Sequence, residues 1–180
     1  MNLDLVIMQL RRYCPDLGGR VAGAADYQKG LSTQVWMAAP AAYVIPLEEE
    51  AAPNPDLNGL QQIVTERIGI VVQYDSSADR RGQDAVSNLD EMRLAIFRAV
   101  LNWNPHPDRA ARGLFYMGGQ TLDLDRARLF YQLEFGQEVT ITDLDGWQPP
   151  EAPLTEIDIT ATDASTGDTM VQSHVSLSQS

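Results

Sequence analysis

Apolar residues at helical spacing mark two long helices in this chain. In the first helix, six apolar positions follow the i, i+3, i+4, i+7 pattern before Pro15 ends the run: Leu3, Val6, Ile7, Leu10, Tyr13 and Cys14. In the second helix, a similar stripe covers about residues 85–103 and ends at the prolines of the segment NPHPD. Each pattern predicts a helix that buries one face.

Alternating apolar and polar residues predict strands between and after these helices. PAAYVIPLEEE predicts a strand over residues 41–47, and because proline has no amide hydrogen, this strand should lie at a sheet edge or end at Pro46. QQIVTERIGIVVQYD is the strongest strand pattern, with Arg67 pointing away from its apolar side. RLFYQLEF predicts another strand, and GLFYMGGQTLDLD predicts a hairpin around Gly118–Gly119.

A proline-rich segment, DGWQPPEAP, precedes a predicted C-terminal hairpin. Its two strands each direct alternate apolar residues to one face, and these include Ile157, Ile159, Val171 and Val175. A two-stranded ribbon is marginally stable in water, so this face should pack on a sheet or on a neighbour. The element order predicts an α+β fold, with one mixed or antiparallel sheet and two main helices packed on one face. We expect one domain over residues 1–139 and an extension, containing the hairpin, over residues 140–180.

The charge is acidic and unevenly distributed. The formal net charge is −12, from 13 Lys and Arg against 25 Asp and Glu. Nine of those acids, but no Lys or Arg, follow Arg128. This excess argues against a free-standing nucleic-acid-binding protein, because phosphates would be repelled. Two explanations stay open, which are solubility and an acidic surface that DNA passes without sticking.

Residues suited to catalysis or metal binding form no recognisable motif. Cys14 lies on the apolar stripe of the first helix, so we expect a core residue; a single cysteine also excludes an internal disulfide. His106 and His174 are far apart in the sequence and match neither a zinc site nor a catalytic triad. The DLDG segment fails as a calcium loop at its first and closing ligand positions. We therefore predict no enzymatic activity, no cofactor and no metal.

The chain also lacks the sequence signals of membrane insertion and secretion. No apolar run approaches the roughly 20 residues of a membrane helix. The arginines of MNLDLVIMQLRRYC follow its apolar part, which is the reverse of a secretory signal. One cysteine suits a reducing compartment, so we expect a cytoplasmic location.

Several segments, taken in order, resemble the tail terminator proteins of long-tailed phages, the lambda-like group. They are VAGAADYQKGL, PAAYVIPLEEE, NGLQQIVTERIGIVVQYD, the helix ending in LNWNP, and FYMGGQTLDLDRARLFYQLEF, and together they cover about residues 20–136. The resemblance implies a non-enzymatic ring, usually of six copies. Such a ring caps the tail-tube protein, meets the head-side connector and surrounds a DNA channel. It implies a place in the virion neck, with assembly in the host cytoplasm.

Under this resemblance, three parts of the chain are candidate interfaces. The proline-bracketed strand and its glutamates would face a neighbouring subunit or the lumen. The adjacent Arg80 and Arg81 have two open explanations, which are a solvated loop and a docking contact with an acidic surface, since arginine favours bidentate contacts with carboxylates. The hairpin would bind by strand addition. The candidate residues are Tyr43, Ile45, Glu48, Glu49, Glu50, Arg67, Arg80, Arg81, Ile157, Ile159, Val171 and Val175.

Other functions stay open on the residues alone. One is another ring of the head–tail connector, such as a stopper or an adaptor. A second is a free cytoplasmic protein-binding module, and a third is an enzyme whose site no motif reveals. Formation of a ring would favour either connector function over the last two.

Overall fold

Two long antiparallel strands form the centre of the sheet. The structure is a computed structural model, and it describes residues 1–55, 58–75, 83–106, 112–124, 128–148, 150 and 156–176. The two long strands are β4 (Gln61–Asp75) and β6 (Arg128–Thr142), and they pair over their full 15 residues. The strand order is β1-β2-β4-β6-β5, with β3 pairing beside β2 on β4. The remaining strands of this sheet are β1 (Val21–Gly23), β2 (Ala41–Pro46), β3 (Glu50–Ala51) and β5 (Phe115–Leu124).

One face of the sheet is covered by the two long helices, α1 (Leu3–Tyr13) and α3 (Gln83–Val100). Val6 of α1 and Ile96 of α3 are fully buried in a core shared with the sheet. The sheet residues of this core alternate along the strands and include Ile68, Ile70, Val72, Leu133 and Phe135. The α+β fold with two main helices on one face is therefore confirmed.

Among the described residues, part of the opposite face is covered by α2 (Ala24–Thr33) and the segment that follows it. Tyr27 of α2 and Trp36 pack with Tyr43, Val71 and Phe130 of the sheet. A Cβ on Gly30 would lie 2.3 Å from atoms of the Trp36 ring, so the indole packs directly on the helix backbone. The half of this face that carries Arg67 and Glu134 lies outside that cluster.

Two expectations about strands can be compared with the structure. β2 ends at Pro46, as predicted for a strand containing this proline. β1 pairs only with Ala42–Val44, so β2 is an inner strand there, whereas Ile45 and Pro46 pair with β4 alone among the described residues. The hairpin predicted around Gly118–Gly119 is wrong, since both glycines lie inside β5 and pair with β6. The connection between β5 and β6 lies instead at residues 125–127, outside the described residues.

The chain divides into two compact units, Met1–Asp145 and Gly146–Ser180. The first unit includes the whole of β6, which ends at Thr142. The second contains the predicted hairpin, formed by the antiparallel strands β7 (Glu156–Thr162) and β8 (Thr169–Ser176). Its turn is held by Asp163, whose Oδ1 accepts hydrogen bonds from the backbone and hydroxyl of Ser165 at 2.7 and 2.6 Å. None of the helices in the described part of the chain has the length and apolar content that crossing a membrane requires.

A half-buried polar cluster joins the start of the chain to β4. Glu66 forms an ion pair with the amino group of Met1, and its Oε2 lies 3.2 Å from Nε2 of His106. Burial raises the pKa of Glu66, but hydrogen bonds and charge from the amino terminus and from His106 outweigh it, so the net pKa is lowered. Such a carboxylate stabilises the fold at pH values above its ordinary pKa of 4.5. This stabilisation is lost as the pH falls through the lower pKa of the folded state.

We expect Glu66→Gln to lower the free energy of unfolding at pH 7 by about 1–3 kcal/mol, because it leaves a buried charge without its partner. The difference from the wild type should shrink below pH 4.5, where the wild-type carboxylate also becomes protonated. Urea unfolding at pH 7 and pH 3 measures both effects. Glu48→Gln, at an exposed glutamate, is the matched control and should change neither value by more than about 0.5 kcal/mol. A pH-independent loss in Glu66→Gln would contradict this role.

Candidate subunit interface

Tyr43 lies in the aromatic cluster rather than on the surface of the chain. It is 1% exposed, and its ring centroid lies 5.5 Å from that of Tyr27 and 5.8 Å from that of Trp36. Its hydroxyl donates to Oε1 of Gln73 at 3.3 Å and accepts from the backbone N–H of Met37. Burial raises the pKa of Tyr43. This side chain therefore holds α2 and its following segment on the sheet, and we do not carry it forward as an interface residue.

The residues after Tyr43 emerge gradually onto the surface. Ile45 is half-buried and packs over Gly69, where a Cβ would lie 3.1 Å from Ile45 Cγ1. Glu48 and Glu49 are exposed in the connection that follows β2. Because Pro46 ends the strand, the connection presents these carboxylates at the margin of the sheet. The margin therefore carries negative charge beside an apolar strand end.

Glu50 and Arg67, two of the predicted residues, form an ion pair with each other. Glu50 belongs to β3 and pairs with Thr65, so Arg67 lies on the same face two residues along β4. The distance from Arg67 Nη2 to Glu50 Oε2 is 2.7 Å, and the Glu50 side chain is 73% exposed. Arg67 Nε is buried, with no hydrogen-bond partner among the described residues. An exposed pair of this kind contributes only about 0–1 kcal/mol to the fold.

The long free edge of the sheet is β5, which the sequence analysis missed. Within the described residues no strand pairs with its outer side, and Phe115, Met117 and Leu122 are each 37–39% exposed. Phe115 and Met117 lie over Gly136, where a Cβ would be 2.8 Å from Met117 Sδ and from the Phe115 ring. Aromatic residues and methionine at an exposed edge are typical of protein interfaces. Gly136, a small residue inside an otherwise bulky strand, is the sequence signal that could have revealed these two side chains.

A groove lies where β5 begins, next to the end of α3. Leu101, Tyr116 and Phe115 form its apolar part, and Arg112 and Glu138 form its charged part. Arg112 Nη1 lies 3.4 Å from Glu138 Oε2, but the arginine side chain is 83% exposed. Arg93 of α3 lies nearby, with its guanidinium 5.7 Å from the centroid of the Phe97 ring that packs on Tyr116. This groove and the edge strand together offer apolar and cationic groups to a partner.

The C-terminal hairpin has an exposed apolar face. Ile159, Val171 and Val175 point to one side of the ribbon and are 42–59% exposed. Ile157 pairs with Val175 in the same register, while its side chain lies outside the described residues. The predicted arginine pair Arg80–Arg81 also lies outside the described residues.

Side chains of the hairpin were compared with a catalytic triad, and acidic, histidine and cysteine side chains with a metal site. Asp158 Oδ1 lies 2.6 Å from His174 Nδ1, and Ser176 Oγ lies 3.2 Å from His174 Nε2. All three side chains are exposed on a two-stranded ribbon, where water weakens the electrostatic stabilisation that a catalytic triad needs. We therefore assign these contacts to cross-strand pairing. No His, Cys, Asp and Glu side chains in the described ranges form a group of three that could hold a metal ion.

Cys14 is fully buried, in line with the expected core residue. Burial, followed by the charge of Asp16, raises the pKa of its thiol to about 11. The thiolate is the reactive form of cysteine, so this residue is unreactive at neutral pH.

The phage tail terminator protein family matches residues 1–145. No curated protein matches the sequence. Among solved structures, a chain of the "Virion of native gene transfer agent (GTA) particle" is similar, with a TM-score of 0.48 and 17% identity over 76% of this chain and 92% of that chain. The family match covers the whole of the larger compact unit and ends where the hairpin unit begins. The chain therefore belongs to the phage tail terminator protein family.

Proposed function

We propose that six copies of this chain form a ring at the head-proximal end of a phage tail. The ring caps the tail-tube protein, stops its polymerisation and offers its other side to the head-side connector protein. Residues 1–145 form the ring domain, and the remaining residues are an extension of it. The observation that carries this proposal is the family match over the whole larger unit, which supports a structural role in a phage tail.

The free edge of the sheet supports association with further copies. An unpaired strand with exposed apolar side chains is a liability in a monomer, and native proteins cover or pair such edges. A closed ring also needs two different surfaces on each subunit that fit one another. The β5 edge is one such surface, while the margin formed by Ile45, Glu48 and Glu49 is on the other side of the sheet.

The acidic residues support a channel through which DNA slides. Glu48 and Glu49 are exposed and make no ion pair among the described residues. We assign them to the lumen, because carboxylates there would repel phosphates and prevent DNA from sticking. Glu50 is balanced by Arg67 and contributes less to this field.

Size-exclusion chromatography with light scattering tests the ring. We expect a species of about six times the 19.9 kDa chain mass, alone or after mixing with tail tubes that lack a terminator. Averaged electron micrographs should then show an annulus with Glu48 and Glu49 at its bore. A mass of one chain under both conditions would contradict the ring, and an annulus with these glutamates on its outer rim would contradict only the acidic lumen.

A further inference from the structure

The hairpin unit combines an exposed apolar face with charged residues of one sign, all of them acidic. Its face carries Ile159, Val171 and Val175, which are 42–59% exposed. Five acids and no Lys or Arg occur in residues 146–180. Because a two-stranded ribbon cannot bury a core of its own, this face gains stability only when another surface covers it. The family match ends at residue 145, so nothing in that match assigns the hairpin a role.

The β5 margin, defined as Leu101, Arg112, Phe115, Met117 and Leu122, has the complementary properties. Its four apolar side chains, on the free edge and at the adjoining helix end, are each 37–39% exposed. Arg112 projects from it, with a side chain that is 83% exposed although its guanidinium lies 3.4 Å from Glu138. The residue types Phe, Met and Arg are those enriched at interfaces.

We propose that the apolar face of the hairpin of one subunit covers the β5 margin of a second copy of this chain. The inference rests on the proposed ring and names the contact that joins its neighbours. The partner is a second copy of this chain for two reasons. Both surfaces are apolar, with acidic residues in the hairpin unit and Arg112 on the β5 margin, and every subunit carries both surfaces. Two different surfaces that fit each other produce head-to-tail association, which forms a ring when the rotation between neighbours closes.

The contact is carried by side chains rather than by a long added ladder. β5 has two irregularities in its pairing with β6, one between Tyr116 and Gly118 and one between Thr121 and Asp123. Bulges of this kind bend an edge and interrupt its hydrogen-bonding row. Regular backbone is left only over Gly118–Thr121, which is too short to hold a neighbour by strand addition alone. This differs from the strand addition expected from the sequence.

Neutral substitutions on the two faces of the hairpin provide the first test. The double variant Ile159→Asn, Val171→Asn removes the apolar face and should shift the ring-sized peak to the mass of one chain at concentrations where the wild type is assembled. The double variant Thr160→Asn, Gln172→Asn alters the opposite face and should elute as the wild type does. Ring formation by both variants would overturn the proposal. If the first variant forms rings but no longer binds tail tubes, the hairpin serves the tube protein, and the proposal is equally overturned.

Cross-linking between mixed subunits gives a second test that does not depend on the stability of a variant. One preparation carries Met117→Cys and the other Val171→Cys, and Cys14 is buried and unreactive in both. A bifunctional maleimide should join one chain of each kind, whereas Gln172→Cys in place of Val171→Cys should give at least a tenfold lower yield. Rings that form without the mixed cross-link would overturn the proposed contact but not the proposed ring. A wild type that never assembles would instead overturn the ring itself.

Discussion

Replacing Phe135 with alanine is expected to lower the free energy of unfolding of the larger unit by about 3–5 kcal/mol. Phe135 is fully buried in the core between the sheet and the two long helices. Its ring packs edge-on against Tyr116 and Phe97, with centroids 5.7 and 6.0 Å apart. The substitution removes these contacts and leaves a cavity that the surrounding strands cannot close. Urea unfolding followed by circular dichroism measures the loss.

Phe115 provides the matched control, since it is the same residue type on the neighbouring strand. Its side chain is 37% exposed and lies over Gly136, directly after Phe135 on β6. Phe115→Ala should therefore cost only about 1–2 kcal/mol. Equal losses in the two variants would show that the core does not lie on the helix-covered face.

The parts of the fold that follow from local periodicity could be predicted from the sequence. The stripe from Leu3 to Cys14 gives α1, and the alternation through Ile68, Ile70 and Val72 identifies the core face of β4. The hairpin at the C-terminus was equally visible, because its two alternating runs flank a turn. These features depend on residues close together in the chain, and for that reason their pattern is sufficient.

The parts that depend on distant residues could not be predicted in this way. Gly118–Gly119 suits a turn by composition, but a Cβ on Gly119 would lie 2.7 Å from the hydroxyl of Tyr131 on β6. The glycine is therefore required by a neighbouring strand, which the local sequence does not reveal. β1 is only three residues long and pairs in parallel with β2, so it leaves no alternating pattern.

The candidate interface depends on tertiary contacts that local patterns do not reveal. The covering of Tyr43 by Trp36 is one such contact. The sequence indicated candidate interfaces at β2 with its glutamates, at the arginines and at the hairpin, whereas the long free edge of the sheet, among the described residues, is β5. Glu50 and Arg67 were each selected for charge, and their pairing with each other depends on the register of β3 with β4.

Loss of the protein should have its largest effect on the length of the tail. As a member of a tail terminator family, the chain has a structural role in a phage tail, and the proposed ring stops the tube from growing. Without it, tube subunits should continue to add beyond the normal end. The joining surface for the head would be missing as well, so filled heads should stay unattached. Supplying the intact chain from a plasmid should restore both features.

Negative-stain electron microscopy of lysates from a phage with this reading frame interrupted measures both features in one experiment. We expect tails longer than those of the wild type, beside separate heads that retain their DNA. Tails of normal length beside heads that have lost DNA would instead place the protein on the head side, as a stopper. Normal particles would contradict any role of this chain in the neck of the virion.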